Sequence, residues 1–312
     1  MRASPRRNRS RRVAIAVIAV PGVLGAGIAI ASRSAAPAAS ADAIRAVTPR
    51  GLPGGGTSIL PEHRVLAHYG APQARELGIL GIGTPAAAAL RLARHVRTYA
   101  ALSARPIMPA MELIAVIVSA GPGRDGRYRY RQTRTTIRRY LAAARAANAI
   151  LILDIQPGRS DFMTEARALA EFLVEPDVGL ALDPEWRMGP GQLPGRVIGS
   201  VDAAEINAVT AWLSGLVARR GLPDKLVIVH QFTGGMIRRR SGLRVRPGVD
   251  MVLNADGFGT PSAKIATYGR VTRGRGKGVF TGLKLFFEED THMMSPARVV
   301  GLRPSPAVVI YE

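Results

Sequence analysis

From His63 onward the chain alternates short, wholly apolar runs with longer stretches of helical periodicity. The runs are Val65–Tyr69, Ile107–Leu113, Ile150–Ile155, Val178–Leu182, Leu226–His230, Val249–Leu253, Val279–Phe286 and Ala307–Tyr311. They are apolar at consecutive positions rather than at every second one, as expected of parallel strands covered on both faces. Thr84-Pro85 opens a helix with a capping residue and a proline at the first helical position, and the helix continues to about Ala101. Further helices are expected near Tyr130–Asn148, Asp161–Phe172 and Val201–Arg220. Asp202-Ala203-Ala204-Glu205 has capping-box spacing, and Gly221 followed by Pro223 closes that helix. Residues 232–248 and 287–306 carry little helical pattern, so an irregular second half is expected. Eight strands alternating with helices over about 250 residues predict a (β/α)8 barrel, an α/β fold of the TIM type. The alternative is an open, doubly wound sheet. Tyr69-Gly70-Ala71-Pro72, after the first run, lacks the phosphate-binding glycine fingerprint that such a sheet usually carries there.

The first 61 residues follow a different pattern. Six arginines within residues 1–12 precede a run from Val13 to Ala31 that has no charge, and Ala39-Ser40-Ala41 then offers a small-residue cleavage site. A basic, apolar and small-residue succession describes a secretory signal peptide over residues 1–41, or a signal anchor if it is not cleaved. Residues 42–61, with Thr48-Pro49-Arg50-Gly51-Leu52-Pro53-Gly54-Gly55-Gly56, read as a Gly/Pro-rich flexible linker before a barrel over 62–312. The expected location is secreted, or membrane-anchored facing the cell exterior. Contact with a membrane is expected only through the N-terminal segment, and the barrel is expected to act as a monomer.

Composition narrows the chemistry. With no cysteine, the chain forms no disulfide, thiolate metal site or cysteine nucleophile. The net charge of +21 suggests nucleic acid at first sight. Yet the basic residues are almost all arginine, scattered rather than gathered into a stripe with interleaved aromatics, so no nucleic-acid partner is expected. Without residues 1–41, 36 basic residues still face 22 acidic ones. No P-loop, G-x-S-x-G elbow, H-x-H or H-E-x-x-H is present, and neither a cofactor nor a dedicated metal site is expected.

Barrel enzymes carry their sites at the C-terminal ends of the strands. There the chain offers Tyr69, Glu112, Asp154 with Gln156, Asp183 with Glu185 and Trp186, His230 with Gln231 and Phe232, Asp256, and Tyr311. Acids outnumber bases among these residues, in a chain that is otherwise basic. Asp183 and Glu185 are the sharpest pair. On an extended segment they would point the same way, about 6–7 Å apart at Cα, where each raises the other's pKa and one can hold a proton near neutrality. A proton held in that way is what a glycosidase acid requires. Glu185, Asp183, Asp154 and Asp256 are therefore the candidate catalytic residues. Tyr69, Glu112, Gln156, Trp186, His230, Gln231, Phe232 and Tyr311 are the candidate substrate-binding ones, the aromatic rings suiting sugar faces.

The D-x-E motif at the end of the fourth strand resembles those of two glycosidase groups, the chitinase-like glycoside hydrolase family 18 and the lysozyme-like family 25. The family 18 motif is D-x-x-D-x-D-x-E. Its last Asp and Glu fall on Asp183 and Glu185, and its two earlier Asp positions are occupied by Val178 and Ala181. The segment Met251–Phe258 is similar to the M-x-Y-D region of that family without its Tyr. The chain as a whole looks more like an actinobacterial-type secreted family with a glycosidase-like barrel. The resemblance implies Glu185 as the acid of a hydrolase acting on an envelope or extracellular polysaccharide. Two other readings stand beside it. One is a non-catalytic glycan-binding barrel at the cell surface, and the other is a basic envelope protein that holds anionic polymers through scattered arginines.

Overall fold

A computed structural model describes residues 51–312, so the expected signal segment and the first part of the linker lie outside the described residues. All eight apolar runs form strands: β1 Arg64–Gly70, β2 Ile107–Val118, β3 Ile150–Ile155, β4 Val178–Leu182, β5 Lys225–Gln231, β6 Val249–Ala255, β7 Phe280–Leu285 and β8 Val308–Tyr311. Each is parallel to the next. The ring closes where β1 pairs with both β2 and β8, with Val65 opposite Met108 on one side and Val308 on the other. The fold is a closed (β/α)8 barrel. The open-sheet alternative fails because an open sheet has two edge strands, whereas each of these eight strands has two parallel neighbours.

Strand parity divides the buried side chains into two layers. Val65, Ala67, Met108, Ala110, Ile150, Ile152, Ala181, Ile228, Val252 and Ile310 fill the barrel interior. Leu66, Met111, Leu113, Leu151, Leu153, Val227 and Val229 face outward into the surrounding helices. Those helices are α1 Pro85–Ala100, α2 Arg134–Ala146, α3 Phe162–Ala168, α4 Ala170–Leu173, α5 Ala203–Arg220, α6 Pro261–Thr272 and the short α7 Pro296–Val300. None of the described helices is long and apolar enough to cross a membrane.

Several local expectations change. Arg129–Arg131 does not begin α2 but pairs antiparallel with the extended end of β2, which runs beyond Leu113 to Val118. Helix α6 was not anticipated, although Thr260-Pro261 starts it with the same cap and proline that start α1. No capping box forms on α5. Asp202 accepts from the Ala204 amide, while Glu205 reaches away to the Phe162 amide and the Arg187 guanidinium. Between β5 and β6 the chain makes only 3-10 turns and a two-residue strand that pairs with Val201–Asp202. Residues 51–61 have no helix or strand, as expected of the linker, but they are not free. Leu52, Ile59 and Leu60 are buried against the lower end of the barrel interior, and the Leu60 amide donates to Asp250 Oδ2 at 2.9 Å.

Candidate functional site

The inward parity that places Ala67, Ala110, Ile152, Ala181, Ile228, Val252 and Ile310 in the core places polar residues two positions later. Tyr69, Glu112, Asp154, Asp183, His230, Asn254 and Glu312 occupy that layer, with Lys284 on β7. Apart from Glu312, these residues are at most 3% exposed, so partners for their polar groups must come from the protein rather than from bulk water. His230 is central. Its Nε2 lies 2.8 Å from Glu112 Oε1 and its Nδ1 3.2 Å from Asp256 Oδ2. Lys284 Nζ is 2.6 Å from Glu312 Oε2 and 3.7 Å from Asp256 Oδ1, and it sits 3.4 Å above the Tyr69 ring. The Tyr69 hydroxyl donates to Asp154 Oδ2 at 2.9 Å and accepts from Gln156 Nε2 at 3.3 Å. Gln156 Oε1 in turn accepts from the Val118 amide.

Beyond β4, Pro184 turns the chain out of the strand into a single 3-10 turn, Pro184–Trp186. Asp183 and Glu185 are therefore not successive residues of one extended segment. Asp183 caps the turn and accepts from the Glu185 amide at 3.3 Å, which leaves Glu185 and Trp186 half-buried at the mouth.

The environment separates the carboxyls by protonation state. Burial, reinforced by the charge of Asp256 and opposed by Lys284, raises Glu185 to about 7. Burial raises Asp154 to about 6, against the pull of His230, and it raises Asp183 well above the usual carboxylate range. Burial also pushes Asp256 upward, but Lys284 and His230 outweigh it, so Asp256 stays well below the ordinary value and ionised. Burial opposes charge on His230 and Lys284. Their acidic partners prevail, and both are held as cations.

Glu112, Asp154 and His230 bring one possible metal-ligand atom each within 4.8 Å of one another, and Glu112 Oε2 and Asp154 Oδ1 are buried without a hydrogen-bond partner. Both ring nitrogens of His230 face carboxylates, however, and a ring protonated at both nitrogens has no lone pair for a metal. The donor set suits an ion-paired network better than a cation.

The structure thus brings Tyr69, Glu112, Asp154, Gln156, Asp183, Glu185, His230 and Asp256 to one end of the barrel. Tyr311 does not join them. It takes the outward parity of β8, its hydroxyl 2.7 Å from that of Tyr99 on α1 and its ring against His95. Gln231 is one residue out of phase with His230 and bonds to the Thr233 carbonyl and Arg240. Phe232 lies beside Gly257 among the rim loops. Tyr69 is inside but cannot stack on a sugar, because it is 2% exposed and Lys284 covers one face of its ring. Lys284 and Glu312 also lie at strand ends but are not among the candidates drawn from the sequence. A charged residue within an apolar run, at the inward parity, is the signal that marks Lys284.

No family model matches the chain, and no curated protein matches it. Among solved structures it is similar to an OMP decarboxylase from Leishmania donovani, with a TM-score of 0.34 and 13% identity over 80% of this chain and 84% of that one. It is also similar to a GH18 chitinase from Pseudoalteromonas aurantia, with a TM-score of 0.38 and 12% identity over 80% of this chain and 93% of the other. The two differ in chemistry, so the likeness selects no activity, and the fold rests on the closed ring of strand pairs.

Proposed function

We propose that the protein is an exported hydrolase of glycosidic bonds in an envelope or extracellular polysaccharide. The observation that carries this reading is the opposite displacement of two carboxyls at one barrel mouth. Glu185 holds its proton to about pH 7, and Asp256 is kept ionised by Lys284 and His230. A protonated acid and an ionised carboxylate, held apart by their surroundings, are the two groups that glycoside hydrolysis needs. Glu185 donates its proton to the leaving glycosidic oxygen as the bond to the anomeric carbon breaks. Asp256 stabilises the positive charge that develops on the ring, and the incoming water leaves its hydroxyl on the anomeric carbon while its proton returns to the Glu185 carboxylate. Asp183 fixes the turn that presents Glu185. Asp154, bonded to Tyr69, supports the floor of the site, and Trp186 at the mouth is the ring available to a sugar face.

The test is release of reducing ends from a panel of neutral and acidic polysaccharides. Glu185→Gln is expected to lower the rate by about 10²–10⁴-fold, the usual contribution of a positioned general acid. Activity of the natural protein should fall as pH rises through about 7, because the acid form of Glu185 is lost there. Full activity in the variant overturns the assignment. A glycan that raises the melting temperature and is never cleaved favours the binding barrel instead.

A further inference from the structure

The loops that follow β2, β3 and β4 are tied together at the rim. Gly158 bridges Arg187, the Met188 amide donates to the Gly158 carbonyl at 2.7 Å, and the Arg159 amide donates to the Arg127 carbonyl at 2.7 Å. Between them lies a cleft of about 390 Å³ that Arg127, Arg159 and Arg187 all line.

These guanidinium groups are held in place largely without being neutralised. Arg127 donates to the Arg159 carbonyl, and Arg159 donates to the Gln192 carbonyl while lying 4.4 Å over the Tyr128 ring; neither has a carboxylate partner among the described residues. Arg187 shares Glu205 with the Phe162 amide. The acid in the lining, Asp125, is already bridged to Arg129 at 2.9 Å. Fixed guanidinium forks with donors to spare match carboxylate and phosphate oxygens, which they bind in pairs. The cleft also shares its loop with the acid, since Arg187 is two residues beyond Glu185 and the Gly199 amide donates to the Glu185 carbonyl.

We infer that this cleft is an anion-binding subsite and that the glycan is acidic, carrying carboxylate or phosphate on units beside the one cleaved. The inference rests on the glycan reading above but not on turnover. Binding of polygalacturonate, phosphomannan and neutral dextran of matched length is measured by calorimetry at low and moderate salt. The proteins compared are the natural one, Arg127→Ala/Arg159→Ala, and Arg94→Ala/Arg97→Ala, whose exposed arginines on α1 remove the same charge elsewhere.

At least one acidic glycan is expected to bind, and dextran far more weakly. The rim variant should lose about tenfold or more, as befits two charge-assisted contacts, and the α1 variant little. Which acidic glycan responds tells carboxylate from phosphate. Arg127→Lys/Arg159→Lys, with charge kept and the fork lost, should fall between natural and alanine proteins. Equal losses in the two alanine variants would mean bulk charge, and full binding by the rim variant or none by the natural protein would equally overturn the inference. Release of reducing ends is measured on the same glycans with the natural protein. Tight binding at the rim without cleavage would therefore end the hydrolase reading and leave this one standing.

Discussion

His230 lies between the carboxyls of Glu112 and Asp256 and is wholly buried. His230→Ala would leave both acids facing an uncompensated interior, where breaking a buried pair typically costs about 3–5 kcal/mol. Denaturant unfolding should show that loss, with a lower midpoint and an unchanged slope. The polar members of this network were legible one by one as residues at strand ends. Their pairing was not, because Glu112 and His230 are 118 positions apart and meet only across the barrel. Tyr311 and Gln231 were misplaced for a simpler reason. Nearness to a strand end says nothing of parity, and a single step along a strand moves a side chain from the site to the helix layer.

The strands were the most legible elements. Burial on both faces leaves unbroken apolar runs, and the pairing partner of each follows from chain order once a closed barrel is assumed. Helix starts were clear at Thr84-Pro85, Asp161 and Asp202, but the same kind of start at Thr260-Pro261 and Ser295-Pro296 was missed, because α7 is a single short turn and α6 has only three large buried side chains besides Thr272. The capping box failed because Glu205 found stronger partners on another helix and loop, which no local spacing encodes. The rim depends on Gly158, whose φ of +58° and distance of 2.3 Å from an added Cβ to the Arg127 carbonyl leave no room for a side chain. Gly158→Ala should destabilise by more than about 1 kcal/mol in thermal melting, from backbone strain alone. It should also weaken binding of acidic glycans by parting the loops that carry Arg127 and Arg159.

Across the whole molecule, residues 51–61 act as a floor. Burial, strengthened by the nearby charges of Asp224 and Glu62, raises the Asp250 carboxyl to about 7 although the Leu60 amide donates to it. A carboxyl that is easier to ionise unfolded than folded favours the folded state fully below its unfolded pKa of about 3.9. That contribution is lost as pH rises through about 7. Asp250→Asn keeps an acceptor for the Leu60 amide and cannot ionise, so it should melt higher than the natural protein at pH 8 and about equally at pH 4. The flexible linker expected from composition misses this contact because its apolar members, Leu52, Ile59 and Leu60, are spaced without a period.

The closing pair of strands sets a condition on when the site can exist. β1 is the first strand of the barrel and β8 the last, and the ion-paired layer draws on strands from both ends of that order, from Tyr69 on β1 to Lys284 on β7. The acids Glu112 and Asp154 come from β2 and β3 and the cations His230 and Lys284 from β5 and β7, and contacts of such sequence separation are entropically slow to form. Until β5 and β7 have joined the earlier strands, Glu112 and Asp154 have water for company rather than His230 and Lys284, and keep their ordinary ionisation. The shifted ionisation of the site is thus a property of the assembled barrel and of no strand taken alone.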